Sequence, residues 1–176
     1  MTETRTPFQI LALGKFRLEL LDDRVNAIYN TLKADADLKD RIVAKIPRGS
    51  WPQRTIINPV NGKPFDADFM LQLKEEPAWA DDVKQYSNAV YKALDNHPTY
   101  KSMSHGRKCR CVYIEYANNA MHVDVVPSVV LSDGRKVIVN RDENSWENTN
   151  PEGLTDWMKT KDGITNGNLR KVIRRN

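Results

Sequence analysis

Phe65-Asp66-Ala67-Asp68-Phe69-Met70-Leu71 opens by alternating apolar and acidic side chains, the period-2 pattern of a β-strand with one buried face. Phe65, Ala67, Phe69 and Leu71 share the core side of such a strand, and Asp66 and Asp68 share the other. Two carboxylates side by side at the edge of a core repel. A fold keeps them where something compensates, most simply a divalent cation. Magnesium suits the pair, because it takes carboxylate oxygens together with waters and substrate phosphates. Val123-Asp124-Val125-Val126 repeats the device, with Val123 and Val125 facing one way and His122 and Asp124 the other. Laid beside the first strand, it brings Asp66, Asp68 and Asp124 to one patch, the layout of a two-metal site for phosphoryl chemistry. His122 reads as a structural histidine.

Upstream, Gly49-Ser50 offers backbone amides and a hydroxyl with no bulky side chain in the way, as phosphate oxygens require. Gln53 and Thr55 lie in the loop that follows, within reach of a nucleotide, and serve equally well to stabilise a turn. Each signal alone is weak, since Gly-Ser pairs are common in turns and Asp-x-Asp pairs are common on the wet faces of strands. Their combination in this order is far more specific.

Outward from these motifs, Phe16, Leu20, Leu21, Ala27, Ile28, Leu32 and Leu38 recur at helical spacing. They predict one long amphipathic helix over about 16–46, with a break available at Ala34 to Asp37, ended by Pro47. Thr55 to Asn58 reads as a short strand, the Asn61-Gly62-Lys63-Pro64 cluster as a turn, and Phe65 to Leu73 as the next strand. Pro77 to His97 returns to helical spacing. Strands follow at Cys109 to Tyr116, Met121 to Val130 and Lys136 to Val139, then a polar stretch around Trp146. A last helix is expected from about Asn168. With no repeat or linker, the fold class is α+β: one core at 1–176, in which a mixed β-sheet over about 47–165 is flanked by helices.

The 176 residues, 40% hydrophobic and 28% charged, suit one folded domain and exclude a disordered or fibrous chain. No apolar run is long enough for a membrane span and no secretory signal opens the chain, so a cytoplasmic protein without a membrane partner is expected. Cys109 and Cys111, two apart in an expected strand, point to one face where a mutual disulfide would be strained, and they read as small half-buried residues in a reduced compartment. The net charge of +4 leans toward anionic partners, but much of it sits in the terminal run Arg170 to Asn176. Nucleic-acid binding is therefore only weakly supported.

The order Gly-Ser turn, Asp-x-Asp strand, single Asp in a later strand resembles the polymerase-β-like nucleotidyltransferases. GSWPQRTIINPVNGKPFDADFML, RCVYIEYANNAMHVDVVPSVV and NRDENSWENTNPEG resemble segments of the bacterial cyclic-oligonucleotide synthases related to cyclic GMP-AMP synthase, in family order from about residue 16 onward. The resemblance implies a nucleotidyltransferase that joins nucleoside triphosphates (ATP, GTP or a pyrimidine triphosphate) into a cyclic di- or trinucleotide, which activates an antiviral effector. It implies Asp66, Asp68 and Asp124 as catalytic metal ligands for Mg2+, or Mn2+ in its place, and Gly49 and Ser50 as triphosphate contacts, with Gln53 of the following loop as a further candidate for substrate binding. Asn140, Arg141, Trp146 and Asn150 resemble a loop on the nucleobase side, although Trp146 is better read as a plug at the domain edge. Family members carry a second, helical lobe after this core, with a lysine that helps hold the triphosphate. The chain stops short of both, so a truncated form with weak or absent turnover is expected. Two other readings stay open on the residues: a toxin-like nucleotidyltransferase acting on a protein or RNA, and a non-catalytic nucleotide-binding module.

Overall fold

The computed structural model of the protein describes residues 15–50, 65–116 and 121–164. The expected strand at Thr55 to Asn58, the turn at Asn61 to Pro64, Gln53 and the helix from Asn168 lie outside the described residues.

Helix α1 (Lys15–Ala34) turns Leu21, Val25, Ile28 and Leu32 inward at spacings of three and four. It ends in an Asx turn, where Asp35 Oδ1 accepts hydrogen bonds from the backbone N–H groups of Asp37 and Leu38, each at 3.0 Å. The single long helix expected over about 16–46 therefore stops at Ala34. Ile42–Arg48 forms strand β1 instead, antiparallel to β2 (Phe65–Leu73). The β-branched Ile42, Val43 and Ile46 suit a pleated strand better than a helix. Pro47 lies inside β1 and does not terminate a helix. The strand order makes β1 an edge, where a missing N–H is tolerated.

After β2 come a 3₁₀ turn (Pro77–Trp79), helix α2 (Lys84–Asp95) and a short helix α3 (Pro98–Lys101). The periodicity over Pro77 to His97 is thus divided between two elements, the 3₁₀ turn and α2. Strands β3 (His105–Arg107), β4 (Val112–Tyr116), β5 (Met121–Val130), β6 (Lys136–Asn140) and β7 (Ser145–Asn148) complete the sheet, and α4 (Pro151–Ile164) follows. The strand around Trp146 and the helix α4 were not expected. The latter has a readable start, because Asn150 Oδ1 accepts from Gly153 N at 3.0 Å, with Pro151 at the first helical position. Cys109 and Cys111 also depart from expectation. They sit in a turn closed by Lys108 N to Cys111 O at 2.8 Å, ahead of β4, and both are free thiols.

The described sheet has seven strands, running β1-β2-β5-β4-β3, with β6 on β5 and β7 on β6. Strand β5 pairs with β2 from Met121 to Val129 along one side, and on the other with β4 through Val125 and with β6 from Ser128. Pro127 falls at the changeover between those two partners, where a proline is least disruptive. One face of the sheet, carrying Phe69, Leu71, Val123, Val125 and Ile114, packs on α1 and α2 to make the main core. Met70, Cys111, Val126 and Ile138 form a smaller apolar cluster of their own. Phe69, fully buried in the main core, is a direct test of this packing: Phe69→Ala should lower the unfolding free energy by about 3–5 kcal/mol in urea titrations.

Candidate functional site

β2 and β5 run parallel and in register, so Asp66 lies beside His122 and Asp68 beside Asp124. Adjacent strands lie about 4.8 Å apart, and paired residues point to the same side. Asp66, Asp68 and Asp124 therefore share the sheet face opposite α1 and α2, each half-buried, between the buried Phe65, Ala67, Phe69, Val123 and Val125. Cavities of about 380 and 670 Å³ elsewhere on the protein are lined by none of these acids.

The electrostatics reflect the crowding. Burial, together with Asp66 and then Asp124, pushes the Asp68 carboxyl up to about 6, against the opposing pull of Arg48 and Lys108. Arg48 is paired with Asp68 across the β1–β2 ladder. Lys108 Nζ stands 3.4 Å from Asp124 Oδ1 and 3.5 Å from Oδ2. Burial pushes the Cys111 thiol up to about 12, with Asp124 adding to it both as a charge and as a hydrogen-bond partner. Among the described residues no three Asp, Glu, His or Cys side chains yet close around one point as metal ligands. The donor set nevertheless fits a hard divalent cation: oxygens only, on a shared face, with one carboxyl driven toward protonation for want of positive charge.

The Gly49 turn abuts this group. Gly49 has a φ of +69°, and a Cβ there would fall 2.6 Å from Asp68 Oδ2. Conformation and space both demand glycine at this point. Ser50 follows, half-buried.

A polar network flanks the acids. Arg110 grips Glu147 with two hydrogen bonds of 2.6 and 2.9 Å, Asn140 Nδ2 donates to Glu147 at 2.7 Å, and Cys109 Sγ donates to Asn140 Oδ1 at 3.2 Å. Arg141 N donates to Cys109 O at 2.8 Å. Trp146 packs with the main core, its ring 5.3 Å from that of Tyr86, and Asn150 caps α4. Arg48, Lys108 and Cys111 were not singled out from the sequence. Lys108 and Cys111 reach Asp124 only because β4 pairs antiparallel with β5, Tyr113 opposite Asp124, and no local spacing encodes that pairing.

Acids on neighbouring parallel strands, with a glycine turn packed against one of them, make an arrangement suited to phosphoryl chemistry. The family model for the Second Messenger Oligonucleotide or Dinucleotide Synthetase domain matches residues 8–162, and the chain belongs to that family. Among solved structures, the fold is similar to Escherichia coli DncV in its 3'-deoxy GTP bound form, with a TM-score of 0.79 at 12% identity over 99% of this chain and 64% of that one. It is also similar to the Bradyrhizobium diazoefficiens CD-NTase CdnG in complex with GTP, with a TM-score of 0.69 at 18% identity over 86% of this chain and 46% of that one. E. coli MS115-1 CdnC with ATP gives a TM-score of 0.68 at 19% identity over 95% of this chain and 53% of that one. The chain spans about half the length of the CdnG and CdnC chains. No curated protein matches it.

Two outcomes test this geometry. With the Asp68 carboxyl raised to about 6, the folded chain holds a proton that the unfolded chain has already released. The stability of the metal-free protein therefore falls as pH rises from the ordinary carboxylate range to about 6, and Asp68 contributes no further change above that. Asp68→Asn removes the effect, so thermal melts should place the variant above wild type by a margin that grows to about 1–3 kcal/mol near pH 6 and then holds. Parallel curves would contradict the crowding. Gly49→Ala should lower the melting temperature, at a cost of about 1–3 kcal/mol, because it forces a side chain into the left-handed region against Asp68.

Proposed function

We propose that the protein is a metal-dependent nucleotidyltransferase that joins nucleoside triphosphates into a cyclic di- or trinucleotide second messenger. The observation that carries this reading is the in-register pairing of Asp68 with Asp124 on the face that also holds Asp66, within a chain whose family makes second-messenger oligonucleotides or dinucleotides. The printed complexes of related folds with GTP and with ATP support nucleoside triphosphates as substrates.

In this mechanism Asp66, Asp68 and Asp124 would hold Mg2+, or Mn2+ in its place, which would supply positive charge against the phosphoryl oxygens and raise the acidity of the attacking ribose hydroxyl. Asp124 accepts the proton of that hydroxyl as its oxygen bonds to the α-phosphorus, and the bond from that phosphorus to the pyrophosphate leaving group breaks. Backbone amides at Gly49 and the Ser50 hydroxyl cradle the triphosphate, with Gln53 as a further contact. Asp68 would have to shed its proton to serve as a ligand.

The same reading implies a role in antiviral defence, with the product acting on a downstream effector, and a cytoplasmic site where triphosphates are available. Among the described residues no helix is long and apolar enough to cross a membrane. The test is incubation of the intact protein with radiolabelled ATP and GTP and a magnesium salt. A small phosphatase-resistant product, identified by mass spectrometry, is expected from wild type and lost when Asp66→Asn and Asp68→Asn are combined. Label on a protein or RNA instead would replace the cyclic product with a macromolecular acceptor. Unchanged product in the double variant would remove these residues from catalysis.

A further inference from the structure

We propose that Lys108 is a built-in counter-ion for Asp124, which a divalent cation must displace to bind, so that the Lys108–Cys111 turn sets the metal affinity of the site. This rests on the carboxylate metal site proposed above and adds a determinant of its affinity.

Lys108 Nζ sits astride Asp124, 3.4 and 3.5 Å from the two carboxylate oxygens, where a cation shared with Asp68 would need those same lone pairs. The two partners differ in freedom: the Lys108 side chain is 51% exposed and that of Asp124 15%. The lysine can swing to water and the acid cannot, so exchange proceeds by movement of Lys108. Its ammonium also lies 5.0 Å from the centre of the Tyr113 ring, and Tyr113 stands opposite Asp124 in the ladder. A carboxylate and an aromatic face together hold the cation in place.

The root of the lysine is anchored by its own turn. Lys108 N donates to Cys111 O at 2.8 Å, Cys109 O accepts from Arg141 N at 2.8 Å, and Cys109 Sγ reaches Asn140 at 3.2 Å. The Cys111 end of the turn is seated in the apolar cluster with Met70, Val126 and Ile138. The ammonium is therefore held at a short tether from Asp124, at high local concentration. Charge makes the arrangement useful. Three carboxylates on one face repel, and Arg48 and Lys108 offset part of that repulsion before any ion arrives. A monovalent ammonium is a weaker partner for two acids than a divalent ion that ligates both, so it yields without barring entry.

The experiment is a titration of the chain with Mn2+ alone, reading free Mn2+ by electron paramagnetic resonance, for wild type, Lys108→Met, Lys108→Arg and Asp124→Asn. Lys108→Met should bind Mn2+ about two- to fivefold more tightly, the scale of one partly exposed ion pair. Lys108→Arg should stay near wild type, and the gap should narrow as salt is raised. A gain in affinity cannot arise from a damaged fold, which would only lose the ion. Lys108→Met binding no more tightly than wild type overturns the exchange. Asp124→Asn then shows which reading has failed: lost binding there leaves the carboxylate site standing, and unchanged binding removes that site as well.

Discussion

Parallel pairing of β2 with β5 is the constraint on which the rest of this molecule depends. Pairing at Asp68–Asp124 and Asp66–His122 puts the acids on one side and Phe65, Ala67, Phe69, Val123 and Val125 on the other. A slip of one residue in either strand would turn its acids into the helix-packed core and its apolar set toward water. The register is thus held by the same burial that stabilises the domain. The acidic face and the core are two sides of a single ladder.

Bringing the acids together opposes folding in the metal-free chain, since Asp68 is pressed toward its neutral form by burial and by its acidic neighbours. The surroundings offset part of this. Arg48 comes from the edge strand, Lys108 from the turn before β4, and the Cys111 thiol from the same turn. The edge strand reaches the acids through its pairing with β2, and the turn through the pairing of β4 with β5. The left-handed Gly49 turn, placed so that nothing larger than hydrogen fits against Asp68, brings backbone amides to the same place. A site for phosphoryl chemistry needs this kind of pre-set charge more than it needs chemically reactive side chains.

Several expectations from sequence met a competing physical effect. The helical spacing of α1 carries on past Ala34, yet the Asx turn at Asp35 ends the helix and β1 completes the exposed side of β2. A lone helical turn there would have left the ladder of β2 unpaired on that side. Ser145–Asn148 lacks a strong strand pattern and becomes a strand by pairing with β6. Cys109 and Cys111 were drawn into an expected strand by their β-like neighbours, while the turn closed by Lys108 and Cys111 keeps them outside it. For α4 the local code was present in Asn150-Pro151 and went unread.

From sequence alone, β2 and β5 were legible with the bounds the structure shows, because period-2 alternation in an apolar run is a local property of side chains. So were the shared face of Asp66 and Asp68, the turn at Gly49 and the α+β class. Tertiary structure alone decided that β5 lies beside β2 and in which register, that residues 42–48 pair as an edge strand, and that Lys108, Arg48 and Cys111 meet the acids. Those contacts join residues far apart in the chain. Their energies come from ladders and packing between elements, which no short window of sequence contains.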